Sequence, residues 1–170
     1  MGHAISSEAR TRRPRRAILA LALATTIAVS LAPNASADNR RLNESVIANV
    51  YTVQHQAGCT NNVARHAQLQ LAAEWHARDL MGNRALNADV GSDGSTPAQR
   101  AEAAGYRGIV AQTVAINPAL AISGIELINQ WYHNPHSVAI MRNCANIHMG
   151  VWSENSLDRT VVVAVYGQPG

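Results

Sequence analysis

The segment that most restricts the fold lies near the C-terminus. Residues 160–166 read TVVVAVY, seven positions with no charge and no alternation of polar with apolar residues. β-Branched residues dominate, so the segment is a strand, and a continuously apolar strand has to be covered on both faces. The residues before it supply the cover. Leu42, Val46, Val50, Val53 and Ala57 recur at helical intervals and predict a first helix, stopped by Gly58. Leu69, Ala72, Ala73, His76 and Leu80 form the stripe of a second helix over about 68–81.

The remaining elements follow from punctuation. Residues 60–66 read as a loop, and 82–95, rich in Gly, Asn and Asp, as the longest irregular stretch. Thr96, Pro97 and Gln99 form the start of a short third helix that Gly105 stops. Residues 109–116 suit a strand. Asn117-Pro118 is expected to open a fourth helix with Leu120, Gly124, Leu127, Ile128 and Trp131 on its stripe, and Pro135 to end it. Residues 146–152 alternate as a strand, and SENSLDR (153–159) links them to the last one. Helices first and strands last predict an α+β fold, a three-layer α-β-α sandwich with a small antiparallel sheet.

The N-terminus is of another kind. Residues 1–16 hold five arginines and one acid, 17–32 carry no charge, and Ala35-Ser36-Ala37 follows. A basic head, a short apolar body and a small-residue exit predict a secretory signal peptide over 1–37, cleaved after Ala37. The apolar run is shorter than the ~20 residues a spanning helix needs. Arg12-Arg13 hints at twin-arginine export, but no strongly apolar residue follows closely, so the general route is favoured. Residues 38–41 are then a polar lead-in and 42–170 a single domain. Beyond residue 37 nine arginines face ten acids, a net charge of about −1. The basic pI of 9.3 belongs largely to the leader, which argues against nucleic acid and against a polybasic membrane surface as partners. Once the leader is cleaved, no membrane span is expected.

Cys59 and Cys144 are the two cysteines of the chain. In an exported protein an even pair predicts a disulfide rather than a catalytic thiol.

Five segments in order resemble one family: LQLAAEWHARDL (69–80), GSDGSTPAQRAEAAGYRG (91–108), AQTVAIN (111–117), INQWYHNPHSVAIM (128–141), and the MGVW strand with the closing VVVAVYG. They resemble the CAP superfamily, or SCP domain, of cysteine-rich secretory proteins, antigen 5 and plant pathogenesis-related proteins. The likeness is to its bacterial, particularly actinobacterial, exported members, and it runs from about residue 42 to 167. The resemblance implies an α-β-α sandwich. It also implies a central cleft where two His and two Glu can hold zinc. The matching positions here are Asp89, Gln112 and Ser137, with His136 one place early, and the second Glu has no clear counterpart, Glu126 being poorly placed. An amide or hydroxyl is a weak zinc ligand, so the inherited metal site is expected to be lost.

What remains there is a polar cleft lined by Asp89, Gln112, His136 and Ser137, with His76 a further candidate beside Asp79. The bland counterpart is a vestigial cleft whose polar groups are satisfied internally. His133, His136 and His148 are weak zinc candidates, and Asp89–Gly94 faintly copies a calcium loop with Gly91 and Arg100 where ligands belong. Neither makes a cofactor the expectation. No G-x-S-x-G elbow or phosphate-binding glycine loop occurs. The tryptophans Trp75, Trp131 and Trp152 read as core and cleft-lining residues. The sequence therefore points to an exported, secreted or envelope protein without enzymatic activity. It would bind a lipid or other apolar small ligand, or an envelope or secreted protein partner. A purely structural or antigenic role is the alternative, and a metal-assisted hydrolase using His76, His136 or His148 is another.

Overall fold

The computed structural model describes residues 1–2, 35–86 and 89–170, with side chains of the first helix from Asn39 onward. The expected signal peptide and its cleavage point therefore lie essentially outside the described residues. Five helices and four strands follow in the order α1 (Ala35–Gln56), β1 (Ala64–Arg65), α2 (Ala67–Gly82), α3 (Pro97–Ala103), β2 (Gly108–Asn117), α4 (Gly124–Tyr132), α5 (Pro135–Arg142), β3 (His148–Ser156) and β4 (Arg159–Pro169). The sheet order is β1-β3-β4-β2. Among the described residues no helix is long and apolar enough to cross a membrane.

β4 explains the layering. Its residues are buried almost without interruption, and successive side chains point to opposite layers. Val162, Ala164 and Tyr166 enter one cluster with Val46 and Val50 of α1, Leu127 and Trp131 of α4 and Met141 of α5. Val161, Val163 and Val165 enter the other, with Leu69, Ala73 and Leu80 of α2 and Ala101 of α3. The fold is the expected α-β-α sandwich. α2 lies so close to β3 that a Cβ on Gly150 would stand 2.0 Å from the Gln70 nitrogen. Only a glycine allows that approach.

The sheet is mixed rather than antiparallel throughout. β2 and β3 pair antiparallel with β4, while the two-residue β1, in a stretch expected to be loop, pairs parallel with His148 and Met149 of β3. The last hairpin is tighter than expected, turning at Leu157-Asp158, because β3 continues through Ser156. α1 begins at Ala35, so the polar residues expected as a lead-in belong to its first turns.

Two corrections concern α4 and α5. Asn117-Pro118 does not open a helix: β2 runs through Asn117, paired with Thr160. α4 starts at Gly124, where the Ser123 hydroxyl accepts from the Glu126 backbone N–H at 3.1 Å. Pro135 begins a helix as well as following one. Asn134 caps α5 by accepting from the His136 and Ser137 N–H groups, both at 3.0 Å, and proline at the first helical position has no N–H to waste. The expected disulfide is present, Cys59–Cys144, with Cα atoms 5.3 Å apart and 85 residues between the partners. Closing so long a loop is worth roughly 4 kcal/mol on the chain-entropy model.

Candidate functional site

The β2 edge of the sheet carries the expected cleft, about 320 Å³ in volume, walled by Asp89, Gln112 and His136 together with Pro97, Val110, Ala111 and Ile140. The long loop supplies Asp89, β2 supplies Gln112, and the first turn of α5 supplies His136. Ser137 is half-buried one residue further on, engaged through its backbone at the α5 cap, and is not among the cleft walls.

The centre of the site is a residue whose role the sequence did not signal. Arg100 of α3 is 6% exposed. One guanidinium nitrogen donates to the Asp89 carbonyl at 2.7 Å and to Gln112 Oε1 at 3.2 Å. The other donates to the Ser95 carbonyl at 2.6 Å and the Ser95 hydroxyl at 3.1 Å. Gln112 Nε2 in turn donates to Asp89 Oδ1 at 3.0 Å. Burial pulls the Arg100 pKa down from its ordinary value while Asp93, Asp89 and Asp79 pull it up, and an arginine remains charged throughout. Gln112, the polar residue in an apolar row, thus has its partners.

The same network decides the fit of a metal. Beside a fixed guanidinium the cleft offers one carboxylate, one neutral amide and one imidazole at its rim, and a dication there would face the arginine charge. Zinc does not fit this donor set. Among the described residues no group of three or more His, Cys, Asp or Glu side chains could hold a metal ion. The three weak zinc candidates belong to different settings. His133 donates from Nδ1 to the Asn129 carbonyl at 2.8 Å. His136 lines the β2-edge cleft, and His148 shares a hydrogen bond of 3.2 Å with the Tyr106 hydroxyl. The calcium-like loop is organised by Arg100 and by the Ser95 N–H bond to Asp93 Oδ1 at 2.8 Å. Hydrogen bonds from Ser95 hold the Asp93 carboxyl below its ordinary range.

His76 lies elsewhere. It is fully buried on the α2 stripe and borders a smaller hollow of about 240 Å³ with Trp75, Asp79 and Arg100. Both Asp79 carboxylate oxygens accept from Ser92, at 2.6 and 2.7 Å, so this carboxylate ties the long loop to α2. The tryptophans divide: Trp131 is core and donates to the Val114 carbonyl at 3.1 Å, whereas Trp75 is 40% exposed.

In its layers and sheet order the chain has the CAP-superfamily, or SCP-domain, fold. Three solved structures share it. One is an outer surface protein from Borrelia burgdorferi, at a TM-score of 0.68 and 15% identity over 77% of this chain and 95% of that one. Another is an extracellular protein containing an SCP domain from Bacillus anthracis, at 0.64 and 11% over 76% of this chain and 41% of that one. The third is a cysteine-rich secretory protein from Staphylococcus aureus, at 0.59 and 12% over 76% of this chain and 39% of that one. This chain therefore spans about two-fifths of the latter two, and at these identities the likeness is one of fold. No protein-family model and no curated protein sequence matches the chain.

Proposed function

We propose that the chain is an exported, non-enzymatic binding module on the CAP fold, secreted or held in the cell envelope, whose β2-edge cleft takes a small apolar or amphipathic ligand. The observation that carries this reading is the Arg100 network. Its guanidinium bonds the Asp89 main-chain carbonyl and Gln112 Oε1, and Gln112 Nε2 bonds Asp89 Oδ1, so Gln112 is engaged at both ends and the one carboxylate here stands beside a buried cation, a poor setting for a metal ion. What the cleft still offers a ligand is the apolar wall of Val110, Ala111, Ile140 and Pro97, with His136 as a polar group at the rim. An apolar wall with few polar groups is the usual make-up of a small-molecule site. The disulfide supports export, since such bonds persist in oxidising compartments, and the three fold neighbours are an outer surface, an extracellular and a secretory protein.

Native mass spectrometry of the protein as released by an exporting bacterial host tests this. A lipid-sized adduct that disappears when Ile140 is changed to Asp supports the reading. The bare oxidised mass, persisting after incubation with a lipid extract, overturns it in favour of a structural role or a protein partner. A stoichiometric zinc adduct removed by His136→Ala would overturn it in favour of metal chemistry.

A further inference from the structure

The opposite edge of the sheet is left open. β1 pairs with only His148 and Met149, so among the described residues β3 from Gly150 to Ser156 has no strand neighbour on that side. The first turns of α1 and the outer side of α2 wall a cleft over this edge of about 550 Å³, larger than the one beside Gln112. A further strand cannot zip along it. Asn39 already donates to the Ser153 carbonyl at 3.1 Å, and the Ser153 hydroxyl returns a bond to the Asn39 carbonyl at 3.4 Å. The space suits a compact ligand.

Charge narrows the chemistry. Arg40, Arg65 and Arg78 line the cleft against one acid, Glu154. That acid is spent: Glu154 Oε1 accepts from Arg78 Nε at 3.2 Å and from the Trp152 indole at 2.8 Å. Arg78 is also paired with Glu74 at 2.6 Å and lies over the Trp152 ring at 5.6 Å. Arg78, Glu154 and Trp152 are therefore a self-neutralised wall. Arg40 makes no ion pair among the described residues, and Arg65 has only a 3.8 Å contact with Glu44, both side chains being about half exposed. Two guanidinium groups are left to meet an anion, each with a planar fork of donors.

The rest of the wall is amide. Asn43, Gln70 and Asn155 border the cleft, and an unengaged amide is suited to hydroxyls, since it carries a donor and an acceptor. The Asn155 Nδ2 is spent on Asn39 Oδ1, whereas the Gln70 amide and the Asn43 Nδ2, which border the cleft, make no hydrogen bond among the described residues. We infer that the β3-edge cleft is a binding site for an acidic saccharide, whose carboxylate meets Arg40 and Arg65 and whose hydroxyls meet the amides.

Isothermal titration of the protein from an exporting host tests the site, using a glucuronic-acid oligosaccharide, a neutral glucose oligosaccharide of equal length and inorganic phosphate. The acidic saccharide is expected to bind at least tenfold more tightly than either control. The double variant Arg40→Gln, Arg65→Gln is expected to weaken it at least tenfold with the melting temperature unchanged. If the double variant melts lower, Arg40→Gln alone, which breaks no ion pair, is read in its place with at least threefold weakening expected. No binding of the acidic saccharide, equal affinity for the neutral one, phosphate binding as tightly, or undiminished binding by the variant would each overturn the inference.

Discussion

The two edges of one sheet are finished in opposite ways. At β2 a buried arginine meets acceptors from the long loop and from the strand itself through both terminal nitrogens of its guanidinium. At β3 a short parallel strand stops early, and arginines stand half exposed beside amides. A buried guanidinium is costly unless its donors are met, so it is used to hold structure together. An exposed one costs little to leave unpaired and stays available to a ligand. Charge of one kind is thus tied into the structure at one edge and left exposed at the other.

The contrast can be broken experimentally. Arg100→Met should cost roughly 3–5 kcal/mol, because it strands the buried Gln112 acceptor and half-buried acceptors at Asp89 and Ser95. Arg65→Gln, at the other edge, should cost no more than about 0.5 kcal/mol. Urea midpoints compare them, and equal losses would abolish the distinction.

A smaller effect separates the edges by pH. Beside β1 the rings of His66 and His148 lie 4.6 Å apart. Burial, and secondarily the charge of His148, lowers the His66 pKa below its ordinary 6.5. The unfolded chain therefore takes up this proton first. The stability His66 contributes is complete above about pH 6.5 and is lost as pH falls through its lowered folded value. Melting temperature between pH 8 and 5 should fall, and His66→Gln should flatten the slope. A slope unchanged in that variant would assign the pH dependence elsewhere.

The smallest effect is expected at the β3–β4 turn. Hydrogen bonds from Arg84 and Ser156 hold Asp158 down to about 2, yet the Arg84–Asp158 pair is well exposed, at 58% and 64% of the side chains. Arg84→Ala should leave the melting temperature unresolved from wild type at neutral pH, since exposed pairs are screened by solvent. A clear drop would mean that the open side of the sheet depends on surface charge more than its exposure implies.

How much was legible depends on how local the signal is. The Thr96–Gln99 capping box is present in full, because a cap needs only neighbours in sequence. The fourth helix was misplaced because Asn117-Pro118 looks like a start in isolation, while pairing with Thr160 keeps residue 117 in the strand. Pro135 reads as a stop or a start, and the Asn134 cap decides for a start. Of the candidate cleft residues, Asp89, Gln112 and His136 come together, while Ser137 and His76 do not join them. Arg100 had been noted only as a wrong residue for a calcium loop. A charged residue beside Ala101 on a short capped helix was the available clue, and it does not say which carbonyls the guanidinium reaches.

By itself the sequence determined the layers and the cysteine pair. Each is carried by periodicity, count or residue identity, which survive without coordinates. The tertiary structure alone decided the sheet order, the two-residue β1 and the uses of the arginines. Arg100 has partners at positions 89, 95 and 112, drawn from the long loop and a strand. Arg40 and Arg65 share a cleft only because α1 and β1 border the same open edge. A guanidinium's work is set by which acceptors surround it and how much water remains, and both are properties of the packed chain.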